Sequence, residues 1–268
     1  MNPVRTVTAA RYVTPLREGG SLPAVIEADD DGLYVLKFRG AGQGAKALTA
    51  ELVAGEIGRA LGLPVPEIVF VELDVDLART EPDPEIQDLI RASGGLNLGL
   101  DYLSGALAFD PLADTTEAGL ASRIVWFDAL VTNLDRTARN TNMLIWHRKL
   151  WLIDHGAAFY FHHAGLADPA AATRAFPLIR DHVLLPAASR IAEVDAAMAA
   201  LLPRPVLERI VGLVPDAWLA DPPGATPSSV EPQGPAARRA AYLDHFVRRL
   251  AAPRAFVTEA VRARNADV

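Results

Sequence analysis

Acidic and amide side chains with a spacing suited to chemistry lie within residues 133–156. Asp135 and Asn140 have the D-x-x-x-x-N spacing, and Asp154 follows in an Asp-His-Gly tripeptide. Carboxylate and amide oxygens are the ligands that Mg²⁺ prefers, and phosphoryl transfer also uses a carboxylate beside the attacking hydroxyl. The stretch therefore indicates a site that orients a hydroxyl and holds magnesium on a triphosphate.

A β-hairpin is the element that must position these groups. The apolar runs 143–146 and 150–153 flank a basic turn of three residues, 147–149, which predicts two paired strands. Such a hairpin keeps Asp135 at one end and returns Asp154 to that same end. An acid, an amide and a second acid are expected to converge there.

A second asparagine, Asn142, competes with Asn140 for the metal. It directly precedes the apolar strand, as magnesium-binding asparagines often do. The spacing from Asp135 favours Asn140, but both asparagines remain candidates at this stage.

A lysine in an upstream strand is the candidate partner for an anion. Lys37 lies near the end of the apolar strand 33–38, which is expected to be covered on both faces. It therefore either needs an anionic partner or reaches solvent. The next predicted helix, 45–61, stops at a glycine and carries Glu51 and Glu56. Each glutamate could lie on a solvated face, or one of them could be aimed at the lysine.

Two glycine-rich segments could cover phosphates with their backbone N–H groups. One is the turn Gly19-Gly20-Ser21, and the other is the loop 40–44, which has three glycines in five residues. A flexible connector is the alternative for either segment, and the sequence does not rank the two.

The remaining elements divide the chain into two parts. Strands are predicted at 10–15, 22–28, 33–38, 67–75 and 96–103, which makes 1–103 a first lobe that ends in a hinge at 101–105. The second lobe, 104–268, is predicted to be mainly helical. Its helices are expected at 114–131, with a capping box formed by Asp114 and Glu117, and at 187–202, 204–214 and 236–264, the last interrupted near Pro253.

Composition limits the class of protein. Half of the 268 residues are hydrophobic, the net charge is -7 and the pI is about 5.4, which disfavours a general nucleic-acid or membrane-surface binder. The absence of cysteine excludes disulfides and thiolate chemistry. The first twenty residues lack a signal-peptide core and no apolar run approaches ~20 residues, so a cytoplasmic protein without a membrane span is expected. The pair His162-His163 favours packing over a metal site, because no further ligand has useful spacing.

These motifs together resemble those of the HipA-like kinases, bacterial relatives of the two-lobed protein-kinase fold with some features of phosphoinositide kinases. The resemblance rests on the motifs DRTARN at 135–140 and IDHG at 153–156, on Lys37 in YVLKF, and on Glu51 ahead of LVAGEIGRALGLPVP. It implies an α+β fold with an N-terminal antiparallel sheet that carries one main helix, and a C-terminal helical lobe.

The same resemblance implies a role for each candidate residue. Lys37 would contact the α- and β-phosphates of ATP and Glu51 would pair with it, while Asp135 would be the catalytic base. Asn140 and Asp154 would hold Mg²⁺, with Asn142 as the alternative ligand. The nucleotide site would also include Gly19, Gly20, Ser21, Asp101 and Leu103. The expected acceptor is a Ser or Thr hydroxyl of a protein, this chain included.

The chain departs from the relatives at Thr137, where they often have histidine, and at His155, where the Asp-Phe-Gly tripeptide has phenylalanine. Two other functions are compatible with the motifs: a nucleotide-binding pseudokinase that acts as an interaction module, and a small-molecule or lipid kinase. The retained acids Asp135 and Asp154 argue against the first, and the acidic surface disfavours a membrane lipid.

Overall fold

A computed structural model describes residues 4–16, 22–42, 44–164, 166, 168–220 and 232–266. Strands dominate the first hundred residues and helices dominate the rest, which confirms the predicted mixed fold class. No helix in the described ranges combines the length and apolar character needed to cross a membrane.

Five of the described strands close into a barrel in the order β1-β2-β3-β5-β4. They are β1 (Thr6–Pro15), β2 (Ala24–Ala28), β3 (Leu33–Lys37), β4 (Ile68–Leu73) and β5 (Gly95–Asp101). Their pairings are antiparallel as predicted, except that β1 runs parallel to β4. This parallel pairing closes the sheet and leaves it no free edge.

Alternation along β3 gives Lys37 its direction. Tyr34 and Leu36 are buried in the barrel core, where Ile86 and Ile90 of helix α2 (Pro84–Ala92) join them. Lys37 lies on the opposite face of the strand, because successive side chains point to opposite faces. That face is only partly covered, whereas the sequence predicted apolar cover on both sides of the strand.

Helix α1 (Ala45–Ala60) is buried along its length and ends as predicted. Gly62 has a φ of +67°, and its N–H and that of Leu63 return to the carbonyls of Arg59 and Gly58 at 3.0 and 2.9 Å. These two bonds form a Schellman cap. A Cβ at Gly55 would lie 2.5 Å from the Ile68 side chain of β4, so the glycine lets α1 approach the barrel closely.

Helix α3 (Ala118–Val131) begins later than predicted. The predicted capping box is wrong: Glu117 is itself the N-cap, and its carboxylate accepts the N–H groups of Gly119 and Leu120 at 2.8 and 3.0 Å. Asp114 instead accepts the Asp110 N–H at 2.9 Å within the preceding turn. The spacing of two acids therefore predicted a cap but assigned the wrong residue to it.

Further helices complete the C-terminal part. They are α4 (Phe161–Ala164), α5 (Ile191–Ala200), α6 (Arg204–Gly212), α7 (Asp216–Leu219), α8 (Gly234–Leu250) and α9 (Ala255–Ala266). The chain between α8 and α9 contains Pro253, so the predicted last helix is a pair. His162 lies 3.1 Å from the Tyr242 hydroxyl, and the described residues contain no cluster of three metal-ligating His, Cys, Asp or Glu side chains.

One hydrophobic core joins the two parts of the molecule. Leu52 and Ile57 of α1 belong to the same buried cluster as Phe127 of α3 and Trp218 of α7. The Trp218 indole also donates to the Leu96 carbonyl of β5 at 3.3 Å. The helical part therefore packs directly on α1 and on the barrel.

Candidate active site

The predicted hairpin consists of β7 (Met143–Trp146) and β8 (Lys149–Leu152), and the short strand β6 (Leu107–Ala108) pairs with β7. Its turn has two residues, His147 and Arg148, with φ values of +47° and +62°. The prediction of a three-residue turn was therefore wrong, and the second strand begins one residue early. Two left-handed residues suit the right-handed twist of the flanking strands, as in a type I′ turn.

The open end of the hairpin gathers the polar groups. The Ile153 N–H donates to the Asn142 carbonyl at 3.0 Å, which places Asp154 next to that asparagine in space. The Asn142 side-chain Nδ2 in turn donates to the Asp135 carbonyl at 3.0 Å. As the sequence indicated, both acids lie at one end of the hairpin.

Asp135 contacts both candidate asparagines. Its Oδ2 accepts from the Nδ2 atoms of Asn140 at 2.9 Å and of Asn142 at 3.1 Å. Because a carboxylate only accepts, both amides must turn their nitrogens toward it and their oxygens away. Neither amide oxygen accepts a hydrogen bond within the described part of the chain, so both asparagines keep an oxygen for a cation.

Lys37 does not reach solvent but joins two carboxylates. Its Nζ lies 2.8 Å from Asp154 Oδ1 and 3.7 Å from Glu51 Oε2. The side chains of Lys37 and Glu51 are 11% and 2% exposed, whereas that of Asp154 is 40% exposed. Glu56, the other candidate on α1, pairs with Arg59 instead. Strand β3, helix α1 and the residues after β8 therefore meet at one cluster of charges.

Mutual attraction keeps these buried groups charged. Burial alone would lower the pKa of Lys37, but the carboxylates of Glu51 and Asp154 outweigh it and the pKa is raised. Burial would likewise raise the pKa of Glu51, but Lys37 and His155 lower it to about 2. Near neutral pH, Lys37 is therefore an ammonium and Glu51 is an ionised carboxylate.

His155 occupies the position of the phenylalanine in the related tripeptide and is completely buried. Its ring meets Phe127 of α3 edge to face, with centroids 5.7 Å apart, so it packs as an aromatic side chain. Its Nδ1 also lies 3.4 Å from Glu51 Oε1. The histidine thus adds a polar contact with Glu51 that phenylalanine lacks.

Comparison with known families agrees with this geometry. The model of the HipA-like kinase family matches residues 10–233. This chain belongs to the HipA-like kinase family. Comparison with curated protein sequences returned no match.

A solved structure shares the fold of this HipA-like kinase. The proinflammatory kinase CtkA of Helicobacter pylori superposes with a TM-score of 0.56 at 12% identity, covering 99% of each chain. This likeness confirms the predicted protein-kinase-like fold. The Golgi casein kinase has a TM-score of 0.45 at 12% identity, covering 100% of this chain and 75% of that one. A second structure of it, with Mn/ADP bound, has a TM-score of 0.43, again at 12% identity, and covers 98% and 75%.

The two glycine segments of this HipA-like kinase have different outcomes. Gly19, Gly20 and Ser21 lie outside the described residues. At the start of the second segment, the Gly40 N–H donates to Ser93 Oγ at 3.0 Å, and the N–H of the preceding Arg39 donates to Asn97 Oδ1 at 2.7 Å. These two amides are therefore used within the barrel and are not available to cradle phosphates.

The residues of the predicted hinge lie where the barrel passes into the helical part. Asp101 is the last residue of β5, and its N–H donates to the Glu67 carbonyl at 2.9 Å. Leu103 follows, buried, and its carbonyl accepts the Ala106 N–H at 3.0 Å. The Asp101 amide is thus engaged in the barrel.

Sequence reasoning missed Asp128, which lies fully buried on α3. It accepts from Arg136 Nε at 2.7 Å, from Asn133 Nδ2 at 2.9 Å and from His182, whose Nε2 is 2.9 Å away. Burial would raise the pKa of Asp128, but Arg136 and His182 lower it. The signal in the sequence was a single acidic residue within the apolar stretch of α3, which would have indicated a buried carboxylate with polar partners.

Proposed function

We propose that this HipA-like kinase transfers the γ-phosphate of ATP to a hydroxyl group, with Ser or Thr of a protein as the acceptor. The observation that carries the proposal is the convergence of two clusters at one end of the hairpin. One cluster is Lys37 with Glu51 and Asp154, and the other is Asp135 with its two asparagines. Family membership supports kinase-type phosphotransfer.

The residues present fit a divalent cation. Asp154 is the most exposed member of its cluster and contacts Lys37 through one oxygen, Oδ1. Asn140 and Asn142 present amide oxygens that accept no hydrogen bond in the described ranges. An all-oxygen set suits Mg²⁺, so Asp154 with Asn142 or Asn140 would hold it. When bound, Mg²⁺ neutralises charge that develops on the phosphates.

The protein side chains supply the remaining functions. Lys37 would hold the α- and β-phosphates, and Glu51 would keep the Lys37 ammonium in position through their ion pair. Asp135 would orient the acceptor hydroxyl and accept its proton. Gly19, Gly20 and Ser21 would cover the phosphates, and Asp101 and Leu103 would contact the nucleotide at the boundary between lobes 1–103 and 104–268.

Calorimetry and mass spectrometry together test this function. We expect the protein to bind ATP in Mg²⁺ more tightly than in EDTA, and we expect Asp154→Asn to abolish that difference. After incubation with Mg-ATP and a dephosphorylated cell-protein extract, phosphorylated Ser or Thr should appear with wild type only. Binding without transfer to any acceptor would instead indicate a pseudokinase, and transfer to a small molecule or lipid alone would identify another kinase class.

A further inference from the structure

A distant segment fastens the loop that carries Asp135. Residues 133–142, which we call the catalytic loop, pair with residues 182–184 from beyond the 3₁₀ helix Pro177–Asp181. Thr137 and His182 form an antiparallel bridge, and the Val183 N–H donates to the Arg136 carbonyl at 3.0 Å. The backbone of the loop is therefore paired on one side.

The His182 side chain makes two hydrogen bonds that define its protonation. The Leu184 N–H donates to Nδ1 at 3.0 Å, so Nδ1 is an acceptor and carries no proton. The proton of the neutral ring is then on Nε2, which lies 2.9 Å from Asp128 Oδ2 and donates to it. One tautomer thus satisfies both contacts.

Asp128 connects this ring to the catalytic loop. Its Oδ1 accepts from Asn133 Nδ2 at 2.9 Å, and Asn133 Oδ1 accepts the Asp135 N–H at 3.1 Å. Asp128 Oδ2 also accepts from Arg136 Nε at 2.7 Å. A continuous chain of hydrogen bonds therefore leads from His182 to the backbone of Asp135.

This chain is shielded from water up to its end at Asp135, which is partly exposed. His182 is 5% exposed, Asn133 is 3% exposed, and Asp128 is fully buried. Water cannot replace a lost partner there, so removing one donor leaves a buried carboxylate undersatisfied. The position of Asp135 should respond to such a loss.

We propose that His182 is a positioning residue for phosphotransfer. Its Nε2–H bond to Asp128 holds the catalytic loop in position. The inference rests on the proposed function, because it assigns Asp135 the role of base. His182 itself need not touch the substrate.

Two substitutions separate the two bonds of the ring. In His182→Gln the amide nitrogen reaches the position of Nε2 and can still donate to Asp128. In His182→Asn the shorter side chain reaches only the position of Nδ1, so it can accept from Leu184 but cannot contact Asp128. Arg180→Gln, two residues away on a side chain 68% exposed, is the matched control.

Steady-state kinetics with Mg-ATP and the acceptor protein in its dephosphorylated form is the first measurement. We expect His182→Asn to lower kcat by about 10- to 100-fold, the range that misplacement of a catalytic group by about an ångström produces. KM for ATP should stay within about twofold of wild type, because the groups that hold phosphates are not part of this chain of bonds. His182→Gln and Arg180→Gln should stay close to wild type. Equal kcat in the Asn and Gln variants would overturn the proposal.

Hydrogen exchange of peptides spanning 133–142, followed by mass spectrometry, is a second measurement that requires no catalysis. We expect faster exchange in His182→Asn and near wild-type exchange in His182→Gln. Unchanged exchange in His182→Asn would contradict the proposal that His182 holds the catalytic loop in place, even if the kcat of this variant fell. If the wild type transfers no phosphate, the proposed function fails, whereas the exchange comparison still decides whether His182 fastens the loop.

Discussion

At the scale of single residues, the main feature is a buried cation between two carboxylates. Lys37 and Glu51 both lie in the interior, where an unpaired charge is costly. Each is stabilised because the other is present, and His155 adds a contact to Glu51. Loss of one partner should therefore cost more than loss of both.

Lys37→Met tests this interdependence. It leaves Glu51 buried without its cation, so we expect the free energy of unfolding in urea at pH 7 to fall by about 3–5 kcal/mol. The double variant Lys37→Met/Glu51→Gln should be more stable than the single variant, because it removes the orphaned charge. A double variant less stable than Lys37→Met would contradict this account.

Glu51 should also contribute a pH dependence of stability. Its pKa is lowered from 4.5 to about 2 in the folded protein, so its contribution is complete above pH 4.5 and is lost as the pH falls toward 2. The difference in unfolding free energy between wild type and Glu51→Gln should therefore shrink across this window. A difference that stays constant with pH in urea titrations would show that Glu51 has an ordinary pKa.

Local motifs in the sequence predicted some of these residues and not others. Asp135 and Asp154 were predicted as candidates from short motifs, whereas the place of Lys37 in an apolar strand gave an anionic partner as one of two alternatives. Asp128 and His182 were missed because they meet across 54 residues of sequence. No spacing rule covers a contact that only tertiary packing creates.

At the scale of elements, the hairpin is the unit that builds the site. Its strands were predicted from two apolar runs, but its turn was predicted one residue too long. The basic residues 147–149 have no Asn or Gly to indicate a two-residue turn. His147 and Arg148 instead adopt the left-handed conformation without the residues that favour it.

Arg148→Gly should relieve this backbone cost. The left-handed conformation costs a non-glycine residue about 1–2 kcal/mol, and glycine avoids this cost. Because glycine also loses more chain entropy on folding, we expect a net stabilisation of about 1 kcal/mol. Arg148→Ala is the matched control, because it removes the same side chain but keeps a Cβ. Thermal melting should show a higher Tm for Arg148→Gly alone, and equal shifts in both variants would contradict the turn assignment.

At the scale of the whole molecule, one hydrophobic cluster joins the two parts, and the barrel has a second cluster of its own. Helix α1 belongs in sequence to the predicted first lobe, yet its buried face packs in a cluster with α3 and α7. The sequence predicted this helix and the mixed fold correctly. The closure of the barrel could not be predicted, because β1 pairs with β4 in parallel across some sixty intervening residues.

The shared core predicts a single cooperative unfolding transition. Trp126, Trp146 and Trp151 lie in the helical part and the hairpin, whereas Trp218 contacts the barrel at Phe70 and at the Leu96 carbonyl. Tryptophan fluorescence therefore reports the helical part, the hairpin and the contact of the helical part with the barrel. Far-UV circular dichroism reports the barrel as well. The two signals should have the same midpoint in urea, whereas separate midpoints would show that the lobes unfold independently.

The central claim concerns the whole site: Asp135 acts as the base in a magnesium-dependent phosphotransfer. The most direct test is the rate of transfer from γ-labelled ATP to protein by wild type, by Asp135→Asn and by the exposed-carboxylate control Asp181→Asn. We predict that Asp135→Asn binds Mg-ATP like wild type but transfers phosphate at least about a hundredfold more slowly. Loss of a general base lowers a rate by about 10²- to 10⁴-fold. Transfer by Asp135→Asn at the rate of wild type and of Asp181→Asn would contradict the claim.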